Sequence, residues 1–354
     1  MTESVIHILM TGAGAPGAAG IIHCLRQLPA VHITVADARP STPGRLLADD
    51  FILVPKGDEP GFTDTLLAAC REKNIHLVMP LVTRELLPLA GRIPEFELAG
   101  ATVMVSPASS LEIAIDKGRL YQFLQWRGMA VPDFRLVENV DQFINAAHEL
   151  GYPERAICFK PCQSNGSRGF RILDPSADEQ QLLFAEKPGT AHITFDEAVR
   201  ILSKQPFPEL LLTEYLPGDE YSVDCLADAG QPIVVVPRIR RRIVNGISAE
   251  GEFLNEKDLI DYSGQVIREL KLHGNIGIQF RRSATGFPGI LEINPRVQGT
   301  ISAALGAGVN LPVLAVRQAL HLPIRPEETA VQWGTRFSRY WTEVFYPRQT
   351  DATS

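Results

Sequence analysis

Residues 276–299 read IGIQFRRSATGFPGILEINPRVQG, and the fold turns on how this stretch is read. Two apolar runs flank SATGFPG, a segment of turn formers, which predicts a β-hairpin. With the turn centred between Thr285 and Gly286, Gln279 falls opposite Glu292. The two-residue period of a strand then puts Asn294 on the face of Glu292. Oxygen-bearing side chains converge where the strand ends, and Arg296 follows at once. A carboxylate on an otherwise apolar strand is costly to bury alone. Its partner is either Arg296, in an ion pair, or a hard cation such as Mg2+, which takes a few protein oxygens plus nucleotide phosphates.

Upstream, AICFKPCQSNGSRGF (156–170) is an apolar strand ending near Lys160 and a glycine-rich loop. The backbone N–H groups around Ser164, Ser167 and Gly169 are able to point together at phosphate oxygens, with Lys160 and Arg168 as counter-charge. The loop lacks the GxxxxGK[ST] pattern and is not a Walker A loop; the alternative is a plain hairpin. In PRIRRRIVNGISAEG (237–251), regular alternation puts Arg238, Arg240 and Arg242 on one face and Arg241 on the other. Bidentate guanidinium suits a carboxylate, so Arg240 or Arg242 is expected to hold a substrate carboxylate. The alternative is a solvated basic strand.

The first hundred residues alternate between strand and helix patterns, as in VIHILMTG, AAGIIHCLRQL and HITVADA, which predicts a parallel sheet flanked by helices. Gly12, Gly14 and Gly17 spell GxGxxG after the first strand, and Asp37 ends the second, the pattern of a dinucleotide site. Any doubly wound domain needs a tight first turn, and Pro16 sits inside this one, so the signal is weak. Glu85, in VTRELL after the fourth strand, is a weaker candidate for the cleft.

The chain has 354 residues, too many for one small core. Its net charge of −7 is poor for a nucleic-acid binder, and no partner of that kind is expected. No signal peptide and no apolar run long enough to span a membrane is read, and the five scattered cysteines suit reduced thiols, so a cytoplasmic location is expected. VQWGTRFSRYWTEVFYP (331–347) alternates and predicts one or two closing strands.

Taken in order, these segments resemble the ATP-grasp superfamily, in its carbamoyl-phosphate-synthase-like branch of stand-alone amino-acid ligases, of which the pyrrolysine-pathway enzyme is one. The resemblance covers roughly residues 5 to 345. It implies α/β and α+β architecture: a Rossmann-like pre-ATP-grasp domain at 1–110, an ATP-grasp small subdomain at 111–210, and a large subdomain with C-terminal strands at 211–354. DKGRLYQFL (116–124) looks like the segment that opens the nucleotide domain, with Lys117 on phosphate. FKPCQSNGSRG supplies Lys160 and the loop over the phosphates. LLLTEYLPGDEYSVDCL (210–226) looks like the adenine hinge, with Glu214, Tyr215 and Leu216 at adenine and Glu220 at the ribose. Gln279, Glu292 and Asn294 would hold Mg2+ or Mn2+, and Arg296 would meet the transferred phosphoryl group.

Many family members carry an acid where this chain has Gln279. By the resemblance, the first domain shapes the acceptor site, and Gly12, Gly14 and Gly17 are structural or line the cleft. The implied reaction joins a carboxylate, an amino acid in the nearest pattern, to an amine through an acyl phosphate, with ATP consumed and a homodimer as a common assembly. Rival readings are a phosphotransferase with no amine acceptor, a non-catalytic ATP-binding protein, and an NAD-dependent reductase.

Overall fold

The computed structural model describes residues 5–164, 168–178, 180, 184, 191–244 and 246–345. The first sheet has strands β1 (Ile6–Thr11), β2 (Val31–Asp37), β3 (Asp50–Leu53), β4 (Leu77–Met79) and β5 (Thr102–Val103). They pair in parallel in the order β3-β2-β1-β4-β5. β1 and β4 are adjacent although two strands separate them in the chain. The strand order therefore reverses beside β1, and the reversal opens a crevice at the carboxyl ends of β1 and β4. Helices α1 (Ala18–Leu25), α2 (Pro43–Leu47), α3 (Phe62–Lys73), α4 (Thr83–Ala90) and α5 (Ile93–Leu98) complete this layer.

After α6 (Ala108–Ala114) and α7 (Lys117–Trp126) comes an antiparallel sheet in the order β6-β9-β7-β8. Its strands are β6 (Phe134–Val137), β7 (Ile157–Pro161), β8 (Arg171–Leu173) and β9 (Leu210–Glu214), backed by α8 (Val140–Glu149) and α9 (Phe195–Leu202). A six-stranded sheet follows, ordered β14-β13-β10-β11-β12-β15. It contains β10 (Glu220–Asp228), β11 (Gln231–Val244), β12 (Ile247–Phe253), β13 (Gly274–Arg282), β14 (Pro288–Asn294) and β15 (Arg336–Ser338), with α10 (Lys257–Glu269) and α11 (Leu311–Ala319). The 210/211 boundary drawn from sequence falls inside β9; the change of sheet comes at 215–219, between β9 and β10. Of the expected closing strands, β15 alone forms among the described residues, pairing with β12 at the sheet edge.

The layers share apolar cores. One face of the parallel sheet, with Ile8, Met10 and Ile33, packs into a cluster with Phe253, Val297, Ile301 and Leu314 from the far end of the chain. The contact is close enough to require glycine: a Cβ on Gly17 would lie 2.5 Å from the Gly299 Cα. All five cysteines are buried and free.

Candidate active site

The hairpin forms in the expected register. Gln279 pairs with Glu292, and Gly277 with Asn294. A bulge follows, since Phe280 pairs with Ile290. Leu291 is the extra residue, and its carbonyl accepts from Lys160 Nζ at 2.8 Å. Asn294 Nδ2 donates to Glu292 Oε1 at 3.0 Å.

Asp116 caps α7 by accepting from Arg119 N at 3.0 Å, which sets Lys117 in the first turn. Lys117 is buried. Its Nζ lies 3.5 Å from Glu292 Oε2 and donates to the Ser164 carbonyl at 2.7 Å. Lys160 ends β7 with its ammonium over the Tyr121 ring. Burial, with Lys117 nearby, pushes Lys160 down to about 8 although Glu292 pulls the other way.

These groups open into one cleft of about 520 Å3 between the sheets. Ser164 and Arg168 form part of its wall, as do Glu214, Tyr215, Leu216 and Glu220. Gln279, Glu292, Asn294 and Arg296 line it with Lys117, Lys160 and Arg240. Ser167 lies outside the described residues. Gly169 does not line the cleft. Its φ of +78° and its packing on Pro161, 2.7 Å from where a Cβ would sit, make it a turn residue.

The hinge offers mainly backbone. Glu214 Oε1 accepts from Asp133 N at 3.1 Å, so its carboxylate braces the loop before β6. Arg281 holds Tyr215 by cation–π contact at 5.2 Å.

The arginine strand corrects the sequence reading. A bulge between Arg240 and Arg242 breaks the alternation, because Arg240 pairs with Gly251 and Arg242 with Glu250. Arg242 is thrown to the surface, 51% exposed and bonded to Glu250 at 2.7 Å. It does not join the cleft. Arg240 does, with 5% side-chain exposure, in a short ion pair with Glu220 and bonded to the Gly246 carbonyl at 2.6 Å. Arg238 is buried beneath, bonded to Asp224 at 2.7 Å and Ser248 at 2.6 Å.

The Rossmann-like layer supplies both residues that the motifs did not name and, of the GxGxxG glycines, Gly17, while Gly12 and Gly14 do not line the cleft. Leu81, Val82, Thr83 and Arg84 line the cleft from the end of β4 and the start of α4, and Ala15, Pro16 and Gly17 line it from the turn after β1. Arg296 Nε donates to Thr83 Oγ1 at 3.3 Å and Nη2 to Asn294 Oδ1 at 3.1 Å. For Leu81, Val82, Thr83 and Arg84 the sequence signal was only the strand order, which no local pattern reveals. Glu85 sits just behind, 6% exposed. It accepts a short hydrogen bond from Thr11, and burial pushes it up to about 7. The dinucleotide reading loses its acid: Asp37 accepts from Gly14 N at 2.7 Å and Arg39 N at 2.9 Å, so its carboxylate is tied to the turn itself.

Residues 206–343 match the family model described as ATP-grasp in the biosynthetic pathway with Ter operon, and residues 8–104 match the PylC-like N-terminal domain. Over residues 206–343 the match is to the ATP-grasp superfamily. Among solved structures, the ADP complex of N5-carboxyaminoimidazole ribonucleotide synthetase superposes on this chain with a TM-score of 0.69 at 19% identity, covering 94% of this chain and 81% of that one. Biotin carboxylase from Campylobacter jejuni gives 0.67 at 15%, covering 94% and 74%. Both likenesses fix the fold. The arginine-specific carbamoyl phosphate synthase large chain of Bacillus subtilis is 24% identical over 67% of this chain and 22% of its own length. The large chain from Clostridium perfringens is 23% identical over 79% and 25%. The chain thus spans about a fifth to a quarter of the length of the curated relatives it matches.

The donor set at the strand ends fits a hard cation shared with a nucleotide. Glu292 supplies one carboxylate, and Gln279 and Asn294 supply neutral carboxamide oxygens. No cluster of His, Cys, Asp and Glu able to hold a metal unaided occurs among the described residues. An ion here would depend on phosphate oxygens to complete its shell.

Proposed function

We propose that the chain is an ATP-dependent carboxylate–amine ligase. ATP would lie along the hinge, with adenine against the backbone of 214–216 and the ribose at Glu220. A carboxylate oxygen attacks the γ-phosphorus and ADP leaves, giving an acyl phosphate. An amine then attacks the acyl carbon, loses a proton, and phosphate departs as the amide forms.

The chain's task in this scheme is positioning and charge neutralisation. Lys117 and Lys160 set positive charge beside the phosphates. Arg296, held by Thr83 and Asn294, aims its guanidinium at the phosphoryl group in transit. Mg2+ or Mn2+ held by Glu292, Asn294 and Gln279 would screen the phosphate oxygens. Ser164 and Arg168 border the site, where water has to be kept from the acyl phosphate.

The observation that carries the reading is the Lys117–Glu292 approach, 3.5 Å between the opening of α7 and the end of β14, with Lys160 on the carbonyl next to Glu292. The test is incubation with ATP, Mg2+, a carboxylate panel and hydroxylamine. ADP, phosphate and an acyl hydroxamate are expected, and strict AMP release would rule the chemistry out. Glu292→Gln is expected to lower ADP formation by about a hundredfold or more. An unaffected variant would favour a role in binding ATP alone.

A further inference from the structure

Arg240 lines the cleft, yet its guanidinium is already in use. The side chain is 5% exposed, and each of its three nitrogens has an acceptor within the chain. Nε donates to Ser248 Oγ at 3.1 Å, Nη2 to the Gly246 carbonyl at 2.6 Å, and Nη1 to Glu220 Oε1 in the short ion pair. A substrate carboxylate placed here would have to share that fork. It would also lie beside the Glu220 carboxylate, whose charge repels it. These contacts are those of a cation that holds a neighbouring side chain still.

The side chain it holds is placed for a ligand. Glu220 opens β10 directly after the 215–219 connection, lines the cleft and is 20% exposed. Its Oε1 is taken by Arg240, while Oε2 meets no hydrogen-bond donor among the described residues. A carboxylate on a flexible stem loses rotamer freedom when a ligand fixes it, and that loss weakens binding. Arg240 removes the freedom beforehand.

Arg240 is itself fixed from below. Ser248 Oγ also accepts from Arg238 Nη1 at 2.6 Å, and Arg238 Nε donates to Asp224 at 2.7 Å. Arg238, Asp224 and Ser248 are each at most 1% exposed, so the base of this network is packed into the core.

We propose that Arg240 is a positioning residue for the nucleotide. Through Glu220 it presents a fixed carboxylate oxygen to the ribose hydroxyls, and Ser248 keeps its guanidinium in place. Expected from sequence to take a substrate carboxylate, Arg240 instead acts one side chain removed from the ligand. This rests on the reading that ATP lies along the hinge with its ribose at Glu220.

The test is calorimetric titration of the full chain, in Mg2+, with ADP and with 2′,3′-dideoxy-ADP, which lacks both ribose hydroxyls. The intact chain is expected to bind ADP about tenfold or more tighter than the dideoxy form, as a hydrogen bond to a charged group implies. Arg240→Lys keeps the positive charge but loses the planar fork. It is expected to cut that ratio to about threefold or less, chiefly by weakening ADP. Adding Arg240→Lys to Glu220→Ala is expected to change ADP affinity by less than about twofold, because the arginine acts through the glutamate.

A full ratio in Arg240→Lys, or additive losses in the double variant, overturns the proposal. Equal binding of the two nucleotides by the intact chain overturns it too, and leaves the hinge reading standing. Failure of ADP itself to bind sinks the hinge reading and the proposal together. Ser248→Ala, which removes only the Nε acceptor and its link to Arg238, is expected to lower the ratio about twofold or more. An unchanged ratio in Ser248→Ala counts against the proposal even if Arg240→Lys does not fold.

Discussion

Lys160 and Glu85 are the residues whose charge the fold alters most usefully, and each carries its own pH signature. Lys160 titrates near 8 because the walls of the cleft strip its water. Between about 8 and its ordinary 10.5, the unfolded chain holds a proton that the folded chain lacks. Its contribution to the stability of the nucleotide-free protein therefore rises with pH across that window. Phosphate binding works in the opposite sense, because it needs the ammonium. ATP affinity should fall as pH rises through about 8, and ATP binding near pH 8.5 should take up a proton. Calorimetry in buffers of different ionisation heat reads that uptake, and Lys160→Met should abolish it. Glu85 has the reverse sign. Its pKa is raised from 4.5 to about 7, so the folded chain holds a proton that the unfolded chain releases. Its share of stability is present below 4.5 and is lost as pH rises to about 7, of order 3 kcal/mol. Glu85→Gln should remove that slope, seen as urea midpoints that no longer differ between pH 5 and pH 8 on its account.

At the scale of elements, bulges and close contacts decide which side chains reach the cleft. Regular alternation along β11 would present Arg240 and Arg242 together, but the bulge at Arg241 separates them. Arg240→Ala should reduce kcat/KM about tenfold or more, having removed a buried cation from the cleft wall. Arg242→Ala should leave kcat/KM within about twofold, because exposed pairs like Arg242–Glu250 contribute little. Equal losses in the two would show that the bulge does not govern access. The bulge at Leu291 acts the other way and frees the carbonyl that seats Lys160. The turn after β1 meets the strand-end loop where Gly17 touches Gly299, backbone to backbone. Gly17→Ala should push these layers apart and cost about 1–3 kcal/mol, measured as a lowered midpoint of chemical unfolding. Gly14 and Asp37 are bound to each other, so tight NADH binding is not expected.

For the whole molecule, the consequence of the shared cores is that the Rossmann-like layer is not a free-standing unit. Ile8, Met10 and Ile33 pack against Phe253, Val297, Ile301 and Leu314. A fragment comprising residues 1–110 should lack cooperative unfolding and expose apolar surface, checked by near-UV dichroism and dye binding. A sharp two-state transition in that fragment would show that the remote residues are dispensable. The same packing brings Thr83 to Arg296, joining segments from both ends of the chain into one wall of the cleft.

The amino-acid sequence by itself determined the local matters: the parallel first sheet, the hairpin register that sets Gln279 opposite Glu292, and the order of Lys117, Lys160, Glu214 and Glu220 along the chain. The sheet and the register follow from periodicity and turn chemistry, and the roles expected of Lys117, Glu214 and Glu220 from the resemblance to a known family. The tertiary structure alone decided which arginine of β11 faces inward, that Glu214 braces a loop, that Asp37 is occupied by its own turn, and that Gln298 and Thr83 share the cleft. The physical reason is that a bulge shifts facing by one residue without a distinctive composition. Likewise, a polar group's free valence depends on what packs against it from elsewhere in the chain. In 276–299 the sequence foretold where the oxygens lie, and the fold supplied the lysines and the layer that enclose them.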